Sequence, residues 1–162
     1  MFKFRGAPIL GWVLGLSLLA LPVFGAGPGG DVTGLVTLKS NQSMEQTVEA
    51  LKKAIQDKGL TLFTTIDHAA NARNAGLQLP PTKVVVFGNP TLGTPLMQAQ
   101  QTIGVDLPQK MLVWENGEGQ VWIAYNDPEY LARRHGVSGK EEIFTKIAGA
   151  LDGLARAAAG HQ

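Results

Sequence analysis

From Gly6 to Gly30 the chain carries no charged side chain, and this stretch decides how much sequence is left to build a fold. Lys3 and Arg5 precede it as a short positive region. Residues 9–21 (ILGWVLGLSLLAL) form an apolar run, Pro22 breaks it, and small residues follow through Gly30. That order is the pattern of a secretory signal peptide, so residues 1–25 are expected to direct export to the periplasm or beyond the cell. A cut after Gly25 puts Gly25 and Val23 at the two positions that need small residues, whereas a cut after Ala26 puts the bulky Phe24 there. The uncharged run also reaches the roughly 20 residues that span a bilayer, so an uncleaved membrane anchor is the alternative. Residues 26–30 then read as a glycine-rich linker.

The domain that remains, residues 31–160, is a single unit of ordinary size and long enough to bury a core. It has no cysteine. Disulfides, thiol catalysis and thiolate metal sites are excluded, and an exported domain of this kind must hold together through its core. The full chain has a formal net charge of +1, with 14 basic and 13 acidic residues. Taking away Lys3 and Arg5 leaves 12 basic residues against 13 acidic ones, all of the latter after Gly30, for a net charge of −1. No basic stripe remains, and nucleic acid is set aside as a partner.

Periodicity orders the elements. VTGLVTL (32–38) is rich in β-branched residues and reads as a first strand. Ser43 and Gln46 match a capping box ahead of Met44, Val48, Leu51 and Ile55 at helical spacing, with Gly59 as the stop. LTLFTTI (60–66) is a second strand, and Asp67 is a helix cap before a short helix ending at Gly76. TKVVVFG (82–88) predicts an interior strand covered on both faces. Pro90 and Pro95 frame a loop, and Leu96 to Ile103 predict a short helix. Residues 109–116 and 120–125 flank Gly117-Glu118-Gly119 as a hairpin. Asp127-Pro128 opens another helix, and Ser138 with Glu141 forms a second capping box. Ile143, Ile147, Leu151 and Leu154 give the last helix its apolar face, and the tail from Ala155 to Gln162 is expected to fray. The order is β-α-β-α-β-α-β-β-α-α. It suggests an α+β domain, a two-layer sandwich of mostly antiparallel sheet with helices packed on it.

Several segments resemble the family called domain of unknown function 302: DHAANA (67–72), LPPT (79–82), FGNP (87–90) with GTPLM (93–97), and DLP (106–108). LVW (112–114), GQVW (119–122) and YND (125–127) continue the similarity, which runs from about Val36 to Gly136. The resemblance implies a two-layer α+β domain and a homodimer. It implies no activity.

The candidate chemistry is sparse. Asp67 beside His68 offers a carboxylate and an imidazole, but adjacent residues at a helix start point in different directions, and capping already accounts for Asp67. A metal site built from His68, His135 and a carboxylate has no spacing signature, so no metal and no cofactor are expected. Ser40, Ser43 and Ser138 lie in no nucleophile elbow, and no phosphate-binding glycine loop is present. The better binding candidates are Asn89, Pro90 and Gly93, leaving the end of an interior strand on a stiffened segment. There Asn89 either offers its amide to a ligand or closes a turn on its own backbone. Trp122 and Tyr125 face opposite sides of their strand, so one aromatic set is core and the other meets solvent, a helix or a dimer partner. The expected function is an exported, non-enzymatic binding or interaction module acting as a homodimer, with a possible small-molecule ligand. Contact with a membrane is expected only through an uncleaved N-terminal segment. The alternative is a small hydrolase- or isomerase-like enzyme using His68 with Asp67 or Asn89 in a polar pocket.

Overall fold

Short-range sequence chemistry starts three of the helices where it should. Ser43 accepts a hydrogen bond from the backbone N–H of Gln46, and the Gln46 side chain accepts from the Ser43 N–H. Together they open helix α1, Met44–Asp57. Asp67 Oδ1 accepts from the N–H of Ala70 and starts α2, His68–Asn74. Asp127 Oδ1 accepts from the N–H of Glu129, with Pro128 in the first turn of α4, Pro128–His135. A computed structural model describes residues 34–161 of the chain. The expected signal segment, the linker and the first two residues of the expected first strand lie outside them.

The remaining elements are strands β1 (Leu35–Lys39), β2 (Thr61–Asp67), β3 (Thr82–Gly88), β4 (Gln109–Glu115) and β5 (Val121–Asn126), with helices α3 (Pro90–Ala99) and α5 (Glu141–Ala159). A 3-10 turn, Gln101–Val105, follows α3. The five strands form one sheet in the order β1-β5-β4-β3-β2, every neighbouring pair antiparallel. The fold is α+β, with the element order and antiparallel sheet that the periodicity predicts.

Strand alternation sends Val85 and Phe87 from β3, Met111 and Val113 from β4, and Val121, Ile123 and Tyr125 from β5 to one face, where all are buried. Leu51 and Ile55 of α1 and Leu151 and Leu154 of α5 close over that face. The other face carries Val84, Val86, Leu112, Trp114 and Trp122, which are half-buried. Trp114 and Trp122 are directly opposed across β4 and β5, and their rings stack with centroids 6.3 Å apart. A stacked pair of this kind contributes about 0.5–1.5 kcal/mol beyond its area burial. Tyr125 is therefore the core aromatic, and burial pushes its phenol above the usual range.

Four expectations need correction. Strand β3 is interior in the sheet, between β2 and β4, but fully buried on one face only, because α1 and α5 share that face. The segment after Gly88 is helical rather than a loop: Asn89 caps it, and Pro90, whose missing N–H costs nothing in a first turn, begins it. Ser138 caps nothing, for α5 begins at Glu141, whose carboxylate accepts the N–H of Gly139. The tail does not fray before Ala159, since Ala155, Ala158 and Ala159 are buried. The carbonyls of Ala159 and Ala158 also accept hydrogen bonds from the Asn41 N–H and the Gln42 side chain.

Candidate functional site

Helix α3 leaves β3 at Gly88 and stands away from the sheet, and a cavity of about 480 Å³ opens beneath it. Leu92, Gly93 and Met97 of α3 form one wall. The chain returning to β4 forms another through Leu107, Pro108 and Gln109, with the Leu107–Pro108 peptide cis. Phe87, Leu151 and Leu154, all buried, make the floor. Phe63, 53% exposed, stands with Pro90, Thr94 and Pro108 at the open side. It occupies a register irregularity of β2 between Leu62 and Thr64, and a bulge of this kind re-aims the side chain it carries. The volume lies within the ~300–1,000 Å³ typical of small-molecule sites.

The chemistry of the wall is simple. Among the described residues no ionisable side chain lines it, and the polar side chains are those of Asn89, Thr94 and Gln109. Asn89 Oδ1 accepts from the N–H of Thr91 at 2.9 Å and from its hydroxyl at 2.7 Å. Closing the local turn therefore uses the carbonyl end of the amide, and the NH2 end makes no hydrogen bond among the described residues. The wall at Pro108 is fastened from below, where Lys110 Nζ donates to the carbonyls of Asp106 at 2.8 Å and Pro108 at 3.1 Å. Partial burial pulls the Lys110 ammonium below its usual range, against the attraction of Asp106.

A second polar cluster ties the approach to β4 onto α4. His135 Nε2 lies 2.7 Å from Asp106 Oδ2, and its Nδ1 lies 3.2 Å from the Thr102 hydroxyl. Arg134 reaches the same Asp106 oxygen at 3.3 Å. The imidazole and carboxylate are 7% and 12% exposed, so the pair is shielded from solvent and holds the 3-10 turn against α4. Nothing local in the sequence pairs residues 29 positions apart, although His135 and the DLP segment each stand out alone.

The expected site residues divide between two places. Asn89, Pro90 and Gly93 all line the cavity. Asp67 and His68 do not: Asp67 pairs with Lys83 at one end of the β2–β3 ladder, while Gly88 pairs with Thr61 at the other. Five steps along β3, from Lys83 to Gly88, separate the two ends, about 16 Å at ~3.3 Å per residue. His68 and Asn89 therefore follow opposite ends of the β2–β3 pair. Asp67 is a capping residue. The Ala70 N–H holds its carboxyl below the usual range against a smaller opposing effect of desolvation, and the nearby Lys83 ammonium at 3.5 Å adds to the lowering. His68 is exposed. Among the described residues no group of three His, Asp or Glu side chains is placed to hold a metal ion. Reading the sequence missed the rest of the cavity, since Phe63, Leu107 and the α5 floor are ordinary apolar positions in their own segments.

The family model described as "Domain of unknown function DUF302" matches residues 36–154. The chain belongs to the DUF302 family. An uncharacterized conserved DUF302 protein from Bacillus stearothermophilus has a similar structure, with a TM-score of 0.71 over 78% of this chain and 98% of that one. At 19% identity this likeness speaks for the fold alone. Among curated proteins the DUF302 chain is 46% identical over 114 residues to Fluoride-specific ion channel FluC 1 of Brucella suis biovar 1, covering 70% of this chain and 45% of the relative. Fluoride-specific ion channel FluC 2 of Brucella melitensis biotype 1 matches at the same identity and length, with 42% of the relative covered. The chain thus spans less than half the length of these curated relatives. No helix among the described residues is long and apolar enough to cross a membrane.

Proposed function

We propose that this DUF302 domain is a non-enzymatic binding module, exported and homodimeric, that takes a small ligand into the cavity under α3. The observation that carries the reading is the wall itself: about 480 Å³ lined mostly by apolar side chains, with no ionisable side chain among the described residues that form it. Acid–base chemistry needs a titratable group within hydrogen-bonding reach of the reacting atoms. A cavity lined in this way binds without reacting, which favours the module over a His68-based enzyme. Export rests on the order of charge, apolar run, proline and small residues in the first thirty positions.

The dimer draws support from the sheet face opposite α1 and α5. It carries the stacked Trp114–Trp122 pair, with Leu35 at 49% and Ile66 at 38% exposure on its outer strands. Large apolar side chains gathered on one surface mark an interaction site more often than singly scattered ones do. The Brucella relatives add a separate hint. They are named as ion channels, and a segment like this one makes up part of each, as expected of a module that works beside a membrane partner.

The test is a native mass spectrum of the protein purified from its own export compartment. A dimer carrying a retained small mass, with the N-terminal segment cut or kept, is the expected result. A bare monomer would overturn both the dimer and the bound ligand.

A further inference from the structure

Resting on the binding-module reading, we infer that the cavity selects an uncharged apolar molecule bearing a hydrogen-bond-accepting oxygen, such as a long-chain ketone, ester or ether. Three features of the wall carry this. First, burying an ion without a partner is far costlier than burying a neutral group, and among the described residues no ionisable side chain lines the cavity to offset either sign of charge. A carboxylate or ammonium head group buried there would remain unpaired. Second, the floor is made of buried aliphatic and aromatic groups (Phe87, Leu151, Leu154), which match a hydrocarbon chain and nothing polar.

Third, Asn89, one of the three polar side chains of the wall with Thr94 and Gln109, has one end of its amide already committed. The Asn89 carbonyl oxygen is taken twice by Thr91, which leaves the amide NH2 as the unused end. That end donates, so its complement on a ligand is an acceptor: a carbonyl or ether oxygen. The same capping bonds hold the Asn89 side chain in one orientation before any ligand arrives. Phe63, exposed at the open side, covers the chain where it leaves the cavity.

The experiment uses the exported protein and the neutral apolar dye N-phenyl-1-naphthylamine, whose fluorescence rises on entering an apolar site. Competitors of equal chain length are 2-undecanone, undecanoate and undecylammonium, at about pH 7, where the last two are ionised. Dye uptake with displacement by 2-undecanone at concentrations at least about tenfold below either ion is expected. Gly93→Phe fills the cavity from within α3 and should abolish uptake while the far-ultraviolet circular dichroism is kept. Leu77→Ala, an exposed apolar change outside the wall, should leave uptake unaltered. Asn89→Asp keeps a capping oxygen but replaces the donor, and should weaken 2-undecanone by about tenfold, the worth of one hydrogen bond. If the dye does not bind, or Gly93→Phe binds it as well as the native chain, the binding-module reading falls. Should the dye bind and the ions displace it as well as the ketone, the module survives and the inferred ligand class is overturned. Unchanged ketone affinity in Asn89→Asp removes the acceptor oxygen from that class.

Discussion

Gly34 and Gly59 share a backbone conformation and differ in what surrounds it, which turns a pair of alanine substitutions into a measurement of one contact. Their φ angles are +64° and +66°, in the left-handed region where an L side chain costs about 1–2 kcal/mol. A Cβ added at Gly59 meets nothing within 4 Å. Gly59→Ala should therefore cost only the conformational penalty, about 1–2 kcal/mol. At Gly34 the added Cβ runs into the ring of Tyr130 on α4, which lies across the glycine. The Gly34 carbonyl also accepts the Asp127 N–H at 2.9 Å, so backbone and helix start are joined at this point and have little freedom to move apart. Overpacking of a fitted contact costs about 1–3 kcal/mol more. The expected total for Gly34→Ala is about 2–5 kcal/mol. Urea unfolding at fixed protein concentration, followed by tryptophan fluorescence, reads both values, with the slope checked for constancy. Adding Tyr130→Ala should bring the cost of Gly34→Ala down to that of Gly59→Ala. If the two single variants agree within about 0.5 kcal/mol, the ring does not press on Gly34 and the reasoning is refuted.

Other consequences follow from the same contacts. Asp67 has a carboxyl held below its ordinary value near 3.8, so its contribution to stability is complete above that pH and disappears as pH falls through the lowered value. Asp67→Asn keeps the cap but cannot titrate, and should flatten the acid limb of a stability–pH curve in that window. His135→Ala and Asp106→Ala each strand a shielded partner and should cost about 1–3 kcal/mol in urea unfolding, with the double variant well short of the sum. Full additivity would mean that the 2.7 Å contact carries no energy. Trp114→Ser with Trp122→Ser should convert the proposed dimer to monomer in size exclusion with light scattering. A persistent dimer would move the interface off that sheet face.

What the sequence by itself determined is everything held by partners a few residues away. Ser43 with Gln46, Asp67 with Ala70 and Asp127 with Glu129 are contacts within three positions, so their spacing alone located three helix starts. Strand alternation and the two glycines between β4 and β5 gave the hairpin and, with the helices, the order of all ten predicted elements. The change of direction at Asn89 and Pro90 was legible too, because a strand that ends in Gly-Asn-Pro cannot continue as it was. Ser138 failed for a local reason of its own: Glu141 took up the Gly139 N–H, and α5 started later.

Tertiary structure decided the rest. Which face of the sheet receives α1 and α5 depends on two helices more than eighty residues apart in the chain, and only that choice made Tyr125 core and left Trp114 and Trp122 on the other face. The cavity exists because α3, the Leu107–Pro108 segment, β2 and α5 converge on one volume, and no single segment carries a sign of the space between them. The Asp106–His135 contact has the same origin. Hydrogen bonds along the backbone and caps are short-ranged and written in spacing, whereas packing pairs surfaces without regard to distance along the chain. For this protein the local rules build the elements, and the space left where they meet supplies the candidate site.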